Sequence, residues 1–97
     1  MREIKKPWGL ERILYEDDTW RVKLLIVNAG HKTSLQYHKE KAEIWFRPGG
    51  KMEVLFPGVM HQLEGPVTVI EVAKGDDPDI VRVVDPYNRP EEGKDAR

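Results

Sequence analysis

The chain has no cysteine, and among its 97 residues it has only two asparagines, two glutamines and three histidines. Without cysteine there are no disulfides and no thiolate metal sites, which fits a reducing compartment. Scarce Asn and Gln beside abundant charge lean towards a thermophilic source. No stretch approaches the length of a membrane span, and the opening MREIKKPWGLER lacks the apolar run of a signal peptide. A cytoplasmic protein with no membrane partner is therefore expected. The net charge is −1 with no basic block, so a phosphate-tracking nucleic-acid surface is not expected either.

What is present suits a globular protein: 39% apolar and 34% charged residues. At this length one domain over residues 1–97 is expected, with 89–97, RPEEGKDAR, as a flexible tail. The dominant hydrophobic period is two. WRVKLLIV at 20–27 opens with Trp20, Val22 and Leu24 alternating against Arg21 and Lys23. VTVIEVA at 67–73 and IVRVV at 80–84 are short and β-branched, and LERILYE at 10–16 and KMEVL at 51–55 are further candidates. Gly/Pro turn signals at 28–30, 47–50, 56–58, 64–66 and 74–78 separate these runs. The expectation is an all-β fold, a small antiparallel β-barrel or sandwich without helices. Its two layers should bury Val22, Leu24, Ile26, Val69, Ile70 and Val81.

SLQYHKEKAEIWF at 34–46 carries the chemistry. On a strand Gln36 and His38 point to one face. A polar turn at 39–42 then leads into EIWF, which can return antiparallel beside the first strand and present Glu43. FPGVMH at 56–61 adds His61 behind a Pro57–Gly58 turn. Two imidazoles, one carboxylate and one amide oxygen suit a divalent first-row metal with open positions. The same residues on an unselected chain would be ordinary solvated side chains of strands and turns. Two of the three histidines and one of the two glutamines fall at these places.

GHKTSLQYHKEKAEIWFRPG resembles the first motif of the cupin superfamily, with Gly30, Gln36, His38, Glu43 and Gly49 in the matching positions. Gln36 stands where many cupins have a first histidine. FPGVMHQLEG resembles the second motif through Gly58 and His61, with Gly65 in place of its usual asparagine and its first proline displaced to Pro57. A closer resemblance is to the C-terminal cupin domain of type II mannose-6-phosphate isomerases, a domain often fused to a GDP-mannose pyrophosphorylase. KKPWG, SLQYH, PGVMHQLEG, VIEV and DIVRVVDPYNR occur in that domain's order and cover nearly the whole chain. The resemblance implies a cupin fold (double-stranded β-helix) and Gln36, His38, Glu43 and His61 as metal ligands. The ion would be one divalent metal: Zn, Mn, Fe, Co or Ni.

The chain departs from the family in two ways. Only 17 residues separate Glu43 from His61, where the family has about one further hairpin, so the barrel is expected to be shortened. The family also has an arginine where this chain has Lys41 and a histidine where it has Ile44. A guanidinium and an imidazole are not replaced conservatively by an ammonium and an alkyl group.

Two functions from different classes compete. One is a metal-dependent aldose–ketose isomerase acting on a sugar or sugar phosphate, for which Lys41 and His31 are the catalytic candidates. The other is a non-catalytic module that binds a sugar or small acid, or keeps the metal for structure. A small cupin dioxygenase is a third possibility, with no specific support in these residues. A shortened barrel leaves strand edges and apolar surface uncovered, so a homodimer is expected.

Overall fold

The computed structural model of the chain describes residues 2–74 and 80–87. The expected tail at 89–97 and most of the turn at 74–78 lie outside the described residues. The described residues form eight strands and no helix: β1 (Arg2–Lys6), β2 (Gly9–Glu16), β3 (Trp20–Val27), β4 (Leu35–His38), β5 (Glu43–Arg47), β6 (Lys51–Leu55), β7 (Val67–Lys74) and β8 (Ile80–Val84). They pair antiparallel in a six-stranded sheet of order β1-β2-β3-β7-β5-β6 and a two-stranded sheet of β4 and β8. The fold is the small all-β sandwich that the alternation implied. Strands β3, β6 and β8 have the boundaries read from the sequence. The charged strand β1 was not anticipated; it pairs with β2 at the edge of the large sheet.

Two expectations are corrected. First, β5 does not return beside β4. β4 pairs with β8, and β5 runs between β7 and β6. The short link at 39–42 therefore carries the chain from one layer to the other, and residues of β4 meet Glu43 face to face across the sandwich.

The second correction concerns the core. Val22, Leu24 and Ile26 point away from the other layer and are only half-buried, while Lys23, Leu25 and Val27 face inward. Of the other expected core residues Val69 is fully buried, Ile70 is exposed and Val81 is half-buried. β3 ends apolar on both faces, so alternation alone fits either assignment, and a shift of one residue exchanges the faces. Pairing decides it: Leu25 lies opposite Val69, and Lys23 opposite Glu71.

The core proper consists of Trp8, Leu25, Val27, Trp45, Leu55, Leu63 and Val69, with Val67 and Tyr87 packed against it. Gly65 closes the loop beside this cluster, its N–H donating to the His31 carbonyl at 2.8 Å. A Cβ there would stand 2.0 Å from the Asn28 carbonyl oxygen, so the loop cannot accept the asparagine usual at this motif position.

Candidate metal centre

Gln36 and His38 alternate on β4 with Leu35 and Tyr37, and both are buried between the layers. Glu43 opens β5 with 0% exposure, its carboxylate projecting from the inner face of the large sheet. His61 arrives from a loop. The Pro57–Gly58 turn is held by the Gly58 N–H donating to the His38 carbonyl at 2.8 Å, with Gly58 at φ 84°. That positive φ is one glycine adopts without strain. Gln36 and His61 then exchange backbone bonds of 3.0 and 2.8 Å in an isolated antiparallel bridge. A turn in sequence thus becomes an added strand partner that delivers the imidazole.

His38, Glu43 and His61 converge so closely that one donor atom from each lies within 4.8 Å of the others. His38 Nε2 is 3.0 Å from Glu43 Oε2, and His61 Nε2 is 3.5 Å from Glu43 Oε1. The two imidazoles stack at 5.4 Å, and the edge of Trp45 meets His61 at 5.2 Å. His61 Nδ1 lies 3.0 Å from the Val59 carbonyl oxygen. A carbonyl only accepts, so Nδ1 carries the proton and Nε2 presents a lone pair to the site. This orientation by a backbone carbonyl is the usual way a metal-binding histidine is held. The donor set and its burial fit a divalent cation.

Gln36 is held by the Ser34 hydroxyl, which donates to Oε1 at 2.6 Å. Its place on the inner face of β4 puts it beside the triad. Of the two catalytic candidates, Lys41 lies at the site: Nζ is 3.8 Å from Glu43 Oε2 and donates to the Lys74 carbonyl at 3.3 Å. His31 does not join the cluster. It is exposed, and its Nδ1 is 2.7 Å from the Tyr87 hydroxyl. Ile44 points to the opposite face of β5 from Glu43 and Trp45. There it lines an outer cavity of about 430 Å³ with Trp20, Val54 and Val72. Lys41 lines that same cavity, so the two departures sit together there, and Lys41 also reaches Glu43 of the triad.

Sequence reasoning missed a second set of polar side chains inside the sandwich. Glu11, Lys23 and Glu71 are all buried, at 1%, 5% and 1% exposure. Their signal was alternation itself: Lys23 shares a face with Leu25 and Val27, and Glu71 shares one with Val69 and Ala73.

A small antiparallel sandwich with two imidazoles and a carboxylate gathered between its layers defines a cupin domain able to hold a metal ion. Residues 1–64, which include the whole triad, match the family described as mannose-6-phosphate isomerase C-terminal, and the chain belongs to that family. It is also 28% identical to a mannose-1-phosphate guanylyltransferase of Escherichia coli over 111 aligned positions, which cover 91% of this chain and 24% of that protein. The chain thus spans about a quarter of that relative's length. The alignment is longer than the chain, so the relative carries residues with no counterpart here. No solved structure matches the chain.

Proposed function

We propose that the chain binds a sugar or sugar phosphate at one divalent metal held by His38, Glu43 and His61, with Gln36 as the fourth ligand. The convergence of two imidazoles and a buried carboxylate carries this reading. Family membership supports a sugar phosphate as the substrate class. A metal bound there would polarise a carbonyl or hydroxyl oxygen of the ligand as a Lewis acid. Lys41 keeps a positive charge beside the Glu43 carboxylate and offers an ammonium to an anionic substituent.

Isomerisation also needs a base that moves a proton between neighbouring carbons. Glu43 is committed to the cation site, Lys41 is ion-paired with it, and His31 is turned to Tyr87. Turnover of mannose 6-phosphate is accordingly proposed to be slow or absent compared with full-length family members. Elemental analysis followed by titration with mannose 6-phosphate tests the reading. One metal per chain is expected, lost when His38 and His61 are both replaced by alanine. Full metal occupancy in that double variant refutes the ligand assignment.

A homodimer is proposed through the outer face of the large sheet. Two cross-strand rows lie side by side there: Val22, Val72, Ile44 and Val54, then Leu24, Ile70, Phe46 and Met52. Phe46, Met52, Val54 and Ile70 are exposed, as is Trp20 beside them. The two rows span four strands, about 15–20 Å of contiguous apolar surface at ~4.8 Å between strands. The sheet lies in a molecule 32 × 29 × 25 Å across, wide enough for a polar rim to complete the roughly 800 Å² per partner of a stable interface. An apolar face this continuous marks an interaction surface.

A further inference from the structure

The outer face of the large sheet is hollowed at the end where the 39–42 link enters β5. Val72, Ile44 and Val54 lie side by side there in one cross-strand row. They floor the outer cavity of about 430 Å³, a size within the ~300–1,000 Å³ of small-molecule pockets. Trp20 and Lys74, a cross-strand pair of β3 and β7, line it together with the link residues Glu40 and Lys41. Glu43 and Ile44 point to opposite faces of β5. The cavity therefore lies on the other side of the sheet from the triad.

Its chemistry is that of an apolar floor with an excess of positive charge around it. Three aliphatic side chains offer neither donor nor acceptor, so they suit an apolar body and penalise a polar one. Isoleucine at position 44 keeps this row unbroken, where the family's histidine would place an imidazole in the middle of it. Two ammonium groups face the single carboxylate of Glu40. Lys41 is held from the inner side: its Nζ donates to the Lys74 carbonyl and stands 3.8 Å from Glu43 Oε2. Lys74 is placed differently. Its Nζ lies 5.8 Å from the centre of the Trp20 ring, and among the described residues it pairs with no carboxylate. A carboxylate from a ligand would complete it with a charge-assisted hydrogen bond.

We propose that the outer cavity is a second ligand site that takes a small organic monocarboxylate. The apolar body lies across Val72, Ile44 and Val54, and the carboxylate meets the Lys74 ammonium beside Trp20. The site is independent of the metal reading. Its floor belongs to the face proposed for the homodimer, so a ligand and a second copy approach the same side of the sheet.

Phenylacetate is the probe, with 2-phenylethanol and 2-phenylethylamine as its neutral and cationic counterparts. Each is titrated into the wild type at several protein concentrations and followed through the methyl resonances. Phenylacetate is expected to shift the methyls of Ile44, Val54 and Val72 and to leave those of Leu63, buried two residues from His61, in place. It should bind about tenfold or more tightly than either counterpart, the contribution of one charge-assisted bond. Lys74→Gln should erase that preference while leaving 2-phenylethanol binding unchanged. Val54→Trp should fill the cavity and abolish binding of all three; Val54 is 42% exposed, so the larger ring does not strain the core. Phenylacetate affinity that rises on dilution of the protein means that a second copy competes for the face, and the site stands. An unmoved Ile44 methyl at every protein concentration overturns the proposal. Equal affinity for the three probes does so too, as do shifts at Leu63 without shifts at Ile44. These wild-type measurements decide the matter even where a variant does not fold.

Discussion

Replacing Leu25 by alanine and, separately, Leu24 by alanine tests which face of β3 is inside. Leu25 is 0% exposed and belongs to a cluster with Trp8, Val27, Trp45 and Val69. Truncation there leaves a cavity that rigid aromatic and β-branched neighbours cannot fill by relaxing. Leu→Ala changes in cores cost about 2–5 kcal/mol, more where the site cannot collapse, so about 3–5 kcal/mol is expected for Leu25. In a domain this small each kcal/mol lowers Tm by about 4–8 °C, so the fall should be at least about 12 °C. Leu24 is half-buried on the outer face. It forfeits about half the burial energy of a leucine, about 1.5 kcal/mol or less. Thermal unfolding followed by circular dichroism at several protein concentrations separates the two residues. The Leu25 loss should not depend on concentration, whereas any part of the Leu24 loss that comes from self-association should. A Leu24→Ala loss as large as that of Leu25→Ala, and independent of concentration, would refute the inward assignment of Lys23, Leu25 and Val27.

Three further outcomes are expected. A divalent metal at a hundred times its Kd should stabilise the fold by about 2.7 kcal/mol, a Tm rise of about 11–22 °C. A chelator should reverse the rise and Glu43→Gln should abolish it; an undiminished rise in that variant counts against the site. Joint Phe46→Glu and Met52→Glu replacement should give a monomer by light scattering with metal uptake intact, while a monomeric wild type at high micromolar concentration contradicts the dimer. Asp17 accepts from the Trp20 N–H at 2.7 Å, the Thr19 N–H at 2.8 Å and the Tyr15 hydroxyl at 2.7 Å. The Trp20 backbone bond first, then Tyr15 and Thr19, hold its carboxyl below the ordinary carboxylate value. A lowered folded-state pKa contributes stability above the unfolded value and loses it as pH falls through the folded one. The stability gap between wild type and Asp17→Ala should therefore be constant near neutrality and shrink in acid; urea titrations showing it widen in acid would contradict this.

The strands were largely legible because their signals are local. WRVKLLIV, KMEVL and IVRVV coincide with β3, β6 and β8, each a β-rich run bounded by turn residues. Pairing was not legible, because it depends on residues far apart in sequence. The link at 39–42 is short enough for a hairpin, yet it crosses between layers because β7 occupies one side of β5 and β6 the other. The strand β1 escaped notice because REIKK has the composition of a solvated segment, and four of its five residues are charged. At the edge of a sheet charged side chains are an asset, since they discourage pairing with another chain.

The inward face of β3 was misjudged because Lys23 and Arg21 were taken to point to water, which forced Val22 and Leu24 inward. That rule holds for a strand covering an apolar core. It fails for β3, whose inward lysine is ion-paired with Glu11 inside the sandwich, and the failure is informative. Local patterning and tertiary burial disagree at Glu11, Lys23 and Glu71, as they do at His38, Glu43 and His61, which could hold a metal ion. Functional sites are where such disagreement is expected, because a sequence selected only for folding has no reason to bury charge. The motif residues could be found from their spacing. Lys23 and Glu71 could be found only by asking which charged residues share a strand face with Leu25, Val27 and Val69. Glu11 needed the β2–β3 register, which sets it opposite Leu25. Among the described residues nine polar or charged side chains are buried, and no apolar-alternation rule applied strand by strand would have placed Glu11, Lys23 or Glu71 among them.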